Sequence, residues 1–263
     1  PPPPPPPPPP STFIFQALNR IRSLDWSRWR GVVYKRQQRG LPVNAWRVSL
    51  EAVVQKQMQA GYYGCINHID DQIGRIMEVL PKNTVVIFVS DHGEMLGDHQ
   101  WIRKRNAFEA SARVPFLIRF PSSLGIKQEK VLDHPVELMD IMPTCLELAG
   151  VDIPDSVNGR SLLSIIENPV ADWRGYLHGE CAQIPTLNSG MQYLTNGKMK
   201  YIWYPGTGEE HYFDLISDPD EMINLASDPA HRDERNHWRS ILIDELNGRT
   251  EGFTNGKQLR TLV

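Results

Sequence analysis

Between Trp46 and Leu80 apolar residues recur at spacings of three and four, through Ile66, Ile69, Ile73, Ile76, Met77 and Leu80. That repeat lines one stripe of a helix, and Pro81 stops it. His68, Asp70 and Asp71 then fall on its solvated face. The pattern changes at Thr84, where TVVIFV is a continuous β-branched and aromatic run, the signature of a strand buried on both faces of a parallel sheet. Val114 to Phe120 reads as a second such strand, closed by Pro121. Residues 122 to 134 read as a loop with a short strand. Leu138 to Leu148 reads as a helix, with Pro143 tolerated in its first turns and Gly150 as its C-cap. Helix, short turn and buried strand in succession predict an α/β unit with a parallel sheet and crossovers.

After Val151 the pattern becomes short strands separated by turn signals: Tyr176 to Glu180, Gln192 to Thr195, Lys200 to Tyr204 and His211 to Leu215. Asn196-Gly197 is a hairpin signal between the second and third, and Asp218-Pro219 turns the chain after the fourth. A helix over His237 to Leu246 completes a small antiparallel sheet with one covering helix. The chain thus divides into a segment 1–10, an α/β region 11–150 and an α+β subdomain 151–263. Residues 11 to 45 suggest a short helix and loops. Residues 1 to 10 are all proline, which favours polyproline II; they are read as an artefact or an unassigned segment.

Composition narrows the class. With 40% hydrophobic and 22% charged residues the chain can bury a core. A net charge of −3 gives no support for nucleic-acid binding. No apolar run approaches the roughly 20 residues of a membrane span. Cys65, Cys145 and Cys181 form neither a CxxC pair nor a disulfide framework, and read as buried thiols.

Candidate chemistry gathers beyond the Thr84 to Val89 strand, where open α/β sheets bind ligands. Asp91 and His92 stand there, with Gly93 behind them to permit a tight turn. Lys104 follows twelve positions after His92, between Arg103 and Arg105. A carboxylate beside an imidazole can hold a cation, and a lysine can face an anion. On the residues alone, Asp91 reads equally as a capping turn residue, His92 as a hydrogen-bonded loop histidine, and Lys104 as part of a solvated basic run. Asp98 and His99 fit a bracing role in the loop better than a second metal pair. Glu94, Glu109 and Arg113 read as loop-stabilising ion pairs.

The order of motifs carries a family resemblance. YYGCINHIDDQIGRI at 62–76, VSDHGEMLGDH at 89–99, Lys104, Arg113-Val114-Pro115 and ELMDIMPTCLELAGV at 137–151 come first. NGRSLL at 158–163, YLHGE at 176–180, YLTNGKMKYIW at 193–203 and YFDLISDPDEMINLA at 212–226 follow. The chain resembles the C-terminal portion of sulfatases of the alkaline phosphatase superfamily, most nearly bacterial arylsulfatases. The resemblance implies an alkaline phosphatase-like α/β fold, a parallel-rich sheet flanked by helices, here in part. It also implies a metal site with Asp91 and His92 among its ligands, where many sulfatases have Asn in place of His92. Lys104 matches the lysine that contacts sulfate oxygens, and makes it both catalytic and substrate-binding. His178, in the HGE segment, is a further substrate-binding candidate, against the plainer reading of a strand-end hydrogen bond; Glu180 shares that ambiguity.

Calcium is the implied cation, with manganese as the alternative because an imidazole is less typical of calcium. The implied reaction is hydrolysis of a small-molecule or carbohydrate sulfate ester, by attack of a formylglycine hydrate on sulfur, release of the alcohol and collapse to free sulfate. Yet the paired Asp-Asp and the C/S-x-P-x-R formylglycine motif that sulfatases carry near their beginning are missing. Cys65, Cys145 and Cys181 all lie in other contexts, so the sequence supplies no nucleophile. The expectation is a partial sequence, the second half of such an enzyme, inactive alone. Phosphonate monoester hydrolases and phosphodiesterases of the same superfamily share an Asp-His pair followed by a lysine, and form the alternative. A noncatalytic scaffold keeping the fold is a third reading. Specificity is expected from loops such as Thr186 to Met191 and Pro205 to His211.

Overall fold

The computed structural model describes residues 50–126, 131–182 and 190–262. The proline segment, the short helix suggested within 11–45 and residues 186–189 of the first specificity loop lie outside the described residues. The described residues form two compact units, one of 50–84 with Leu96–Ile102, the other of Val85–Met95 with the described residues from Arg103 onward.

In the first unit, helix α1 spans Ala52–Val79. The residue before Pro81, Leu80, is extended (φ −65°, ψ 141°), as a following proline ring demands, while its N–H still donates to Ile76 O at 3.1 Å. His68 and Asp71 are exposed, but so are Ile69 and Ile76 of the apolar stripe. Asp70 is half-buried, and its carboxyl is raised above the usual range by that burial and by neighbouring Asp71. Leu96–Ile102 completes this unit: Gln59 Nε2 donates to Leu96 O at 3.3 Å, and Gly97 turns at φ 99° against the Gln55 side chain. Asp98–Gln100 forms a single turn in which His99 is left-handed at φ 50° and Trp101 N–H donates to Asp98 O at 2.8 Å.

The second unit opens with β1, Val86–Val89, paired with β2, Phe116–Arg119, in the register Val86 to Arg119 and Val89 to Phe116. The pair is antiparallel, and both strands are half-buried rather than enclosed on both faces. Strand–loop–strand closure explains this. The chain leaves β1, folds through a short helix α2 at Glu109–Ala112, and re-enters directly opposite. Gly93 N–H donates to Ser111 O at 2.9 Å, tying the exit of β1 to the entrance of β2. A Cβ on Gly93 would stand 2.0 Å from the Ala110 carbonyl oxygen. The glycine is therefore required by close backbone approach, not by the tight turn expected.

The helix expected at Leu138–Leu148 appears as a 3-10 turn, Leu138–Asp140, running into α3, Ile141–Leu148. Gly150 closes it in the left-handed region at φ 68°. Asp140 is completely buried. Its carboxylate receives two bonds from Arg174 (2.6 and 2.7 Å) and one each from the backbone N–H groups of Glu137 (2.9 Å) and Arg160 (2.8 Å). A buried charge with every lone pair occupied is tolerable, whereas one stripped of its partner is not. The arrangement stands beside a core in which Leu162, Leu163, Ile165 and Ile166 around α4 (Leu163–Glu167) pack with Phe116, Ile118 and Leu148. That core joins residues on both sides of position 150.

The small antiparallel sheet follows in the order β3 (Leu177–Cys181), β4 (Met191–Thr195), β5 (Met199–Trp203), β6 (Glu210–Asp214). Each strand lies within one residue of its sequence expectation. At the β4–β5 turn Gly197 adopts φ 80°, and Asn196 Oδ1 accepts from the N–H groups of Lys198 and Met199. One face carries Leu194, Tyr201 and Tyr212, packed against Trp238 and Leu242 of α5, Arg232–Glu245. Helix α5 starts earlier than expected because Asp228 caps the preceding turn and Asp233 and Glu234 favour its N-terminus. Contrary to expectation, Cys65 and Cys145 are exposed and Cys181 half-buried; all three are free thiols. Among the described residues no helix is long and apolar enough to cross a membrane.

Two outcomes follow. Asp140→Ala leaves the mostly enclosed Arg174 with Glu137 as its remaining counter-charge and strips two backbone N–H groups of their acceptor, and chemical denaturation should show a loss of about 3–5 kcal/mol; a loss below 1 kcal/mol would contradict this account. Glu180 is the second case: burial opposes its ionisation, but hydrogen bonds from Arg249 and Gln192 hold its carboxyl below the usual range. A lowered carboxyl pKa stabilises the fold above the unfolded value of about 4.3 and loses that contribution as pH falls through the folded value. Melting temperature followed from pH 6 to pH 3 should therefore decline less steeply for Glu180→Gln than for the parent.

Candidate active site

Three of the four residues singled out from the sequence converge just past β1. Asp91 and His92 follow Ser90, whose Oγ donates to the His92 carbonyl at 2.8 Å and holds the turn. Asp91 Oδ1 accepts the His92 N–H at 2.9 Å, which leaves Oδ2 facing His92 Nε2 at 3.3 Å. His92 Nδ1 lies 2.7 Å from Gly93 O. A carbonyl can only accept, so Nδ1 carries the proton and the Nε2 lone pair points outward. Lys104 Nζ reaches that atom at 2.5 Å.

Lys104 is brought there by an unusual backbone. Its neighbours Arg103 (φ 69°) and Arg105 (φ 72°) are both left-handed, a conformation that costs non-glycine residues about 1–3 kcal/mol each. The surroundings hold it. Arg103 N–H donates to Glu94 Oε1, and Met95 N–H donates to Arg103 O at 2.8 Å. Behind the loop, Asn106 N–H reaches Ser111 Oγ at 3.4 Å. The ion pairs read from the sequence are present in part: Arg113 lies 3.6 Å from Glu109, and Glu94 holds the Arg103 backbone.

The donor atoms fit half of a cation site. Two ligands of one cation at a right angle, with bonds of about 2.1–2.4 Å, stand roughly 3.0–3.4 Å apart. Asp91 Oδ2 and His92 Nε2 meet that spacing, and the Asp91 side chain is 79% exposed, leaving the approach open. Among the described residues no group of three or more acidic, histidine or cysteine side chains is placed to hold a metal, so this pair needs further ligands.

His178 is placed elsewhere. It lies on β3 with Nε2 2.8 Å from Gln192 Oε1, on the sheet face that carries Leu194. The opposite face carries Lys200 and Tyr193 and meets the segment Ala107–Glu109, through Lys200 Nζ donating to Ala107 O at 2.7 Å. The two-residue period of a strand thus puts His178 on the opposite face of the sheet from Lys200. Glu180 is likewise engaged, accepting from Gln192 and Arg249. Burial pushes the Cys181 thiol up, only partly opposed by Arg105.

Sequence reasoning missed the groups behind the loop. Lys200 is fully buried, with Nζ 2.7 Å from both Glu109 Oε1 and Glu221 Oε1. Glu221 Oε2 in turn accepts the Glu109 N–H at 2.6 Å. Burial raises the Glu221 carboxyl, opposed by the attraction of Lys200. The one signal for Lys200 was that it shares a phase with apolar Ile202 in the strand Met199–Trp203, so that this phase too faces other residues.

This geometry coincides with family matches over residues 1–247. The Sulfatase family model matches residues 1–151, and the N-sulphoglucosamine sulphohydrolase C-terminal model matches residues 97–247. An arylsulfatase of Clostridium perfringens is 44% identical over 229 residues, covering 85% of this chain and 47% of its own. The chain thus spans about half the length of that relative. Among solved structures, BT1596, a 2-O GAG sulfatase, superposes with a TM-score of 0.64 at 25% identity, over 73% of this chain and 42% of its own. The phosphonate monoester hydrolase SpPMH from Silicibacter pomeroyi superposes with a TM-score of 0.66 at 27% identity, over 73% and 41%. Both superpositions agree with the α/β class expected, of which the antiparallel β1–β2 pair and the four-stranded sheet are the described parts. The chain belongs to the sulfatase family.

Proposed function

We propose that the protein containing this chain is a metal-dependent sulfuric ester hydrolase acting on small-molecule or carbohydrate sulfate esters. One observation carries the reading: Asp91 Oδ2, His92 Nε2 and Lys104 Nζ converge within hydrogen-bonding range at the exit of β1, in a chain of the sulfatase family. Arylsulfatase and glycosaminoglycan sulfatase relatives support the substrate class.

In this proposal Asp91 and His92 supply two ligands of a divalent cation, which contributes positive charge to the ester oxygens when bound. Calcium is the family's expectation. A nitrogen ligand beside a carboxylate also suits manganese. The Nδ1–H to Gly93 O bond keeps the His92 proton off Nε2, the atom that serves the cation or the Lys104 ammonium. Lys104, released from His92, donates to the sulfuryl oxygens and stabilises the charge that grows as the ester bond breaks. The formylglycine nucleophile of the family has no counterpart among Cys65, Cys145 and Cys181, and belongs to the parent protein outside these 263 residues.

The test uses the parent protein with 4-nitrophenyl sulfate and an aryl phosphonate monoester. Sulfate should be the preferred ester, and Lys104→Ala should lower kcat by about 10²–10³ while the melting temperature stays unchanged. Faster turnover of the phosphonate, or a Lys104→Ala enzyme within twofold of the parent, sinks the proposal. Titration calorimetry gives a second readout. His92→Ala should weaken divalent-cation binding by about tenfold or more, and His92→Asn should recover calcium binding better than manganese binding.

A further inference from the structure

We infer that Lys200 and Glu221, far from Lys104 in sequence and on the C-terminal sheet and the turn after it, are positioning residues of the site at the exit of β1. The inference rests on the sulfatase reading for its kinetic consequence and on geometry alone for the rest.

The Lys200 ammonium is fully buried, and its three protons have three acceptors, Ala107 O, Glu109 Oε1 and Glu221 Oε1, each at 2.7 Å. A lysine normally keeps its head group in water, so a completely enclosed one fixes its partners as well as itself. Glu221, its side chain 2% exposed and its backbone at φ 54°, closes the ring by accepting the Glu109 N–H at 2.6 Å. All three held groups belong to one short segment, the Ala107 carbonyl and both the backbone and the side chain of Glu109, the first residue of α2.

From α2 the constraint runs to both arms of the site. Ser111 O accepts the Gly93 N–H at 2.9 Å, and Gly93 adjoins His92. Ser111 Oγ accepts the Asn106 N–H, two residues from Lys104. The separation between His92 and Lys104 is therefore set by where α2 stands, and Lys200 with Glu221 sets that. Nothing else about the site calls for a buried lysine beneath it. A catalytic ammonium displaced by an ångström loses much of its effect, since reactive geometry tolerates little error.

The experiment compares the parent enzyme with Glu221→Gln, and with the double variant Lys200→Met/Glu221→Met, which removes both buried charges and so guards against a merely unfolded protein. Hydrogen exchange at the Gly93 and Asn106 amides should accelerate by about tenfold or more, with the Tyr201 and Tyr212 amides unchanged. For sulfate ester hydrolysis kcat per folded molecule should fall by about tenfold or more, with KM within threefold. Unchanged exchange at Gly93 and Asn106, or kcat within twofold of the parent, overturns the inference. If the parent hydrolyses no sulfate ester, the functional proposal fails instead, and the exchange data alone decide whether the clamp positions the loop.

Discussion

A lysine without access to water organises the larger unit of this protein. Isolated in an apolar interior the Lys200 ammonium would be prohibitively unstable. It persists because two carboxylates and a carbonyl surround it, and those acceptors come from sequence positions as distant as Ala107, Glu109 and Glu221. The requirement works in both directions: Glu221 is equally enclosed and requires the lysine. Such a cluster contributes little net stability beyond what packed apolar residues would supply, but it tolerates few alternative geometries. It joins β5, the turn after β6 and the start of α2 in one arrangement.

The site inherits its form from that arrangement. Its strain is local, in the left-handed Arg103 and Arg105, while the restraints that sustain the strain lie behind it in α2 and in the Gly93 to Ser111 bond. The Asp91 carboxylate stands exposed at the edge of that frame, and the Lys104 ammonium meets Nε2 of His92.

A second buried charge follows the same logic at the other core. Asp140 is saturated by Arg174 and two backbone N–H groups, and the loop bearing Gly159 passes so near the Met139 carbonyl that a Cβ there would stand 2.0 Å from its oxygen. In both cores the chain uses a charged centre to hold irregular segments that have no ladder of their own. The regular elements, β3 to β6 with α5, rely instead on apolar packing around Leu194, Tyr201, Tyr212 and Leu242.

That contrast separates what could be read in the chain from what could not. Local chemistry determined the four C-terminal strands, the Asn196-Gly197 turn, the Leu138–Leu148 helix with its Gly150 stop, and the positions of Asp91, His92 and Lys104 beyond an apolar strand. These depend on the alternation of side chains, on φ preferences, and on ordered motifs within short windows. Tertiary structure alone decided that β1 and β2 pair antiparallel, that Gly93 is needed for clearance and not for a turn, and that His178 pairs with Gln192 on the sheet face away from Lys200. It also decided that Cys65 and Cys145 are exposed and that Lys200 lies buried beneath the site. Each of these is settled by which distant segment arrives to fill a volume or to accept a proton, and no window around the residue itself contains that segment.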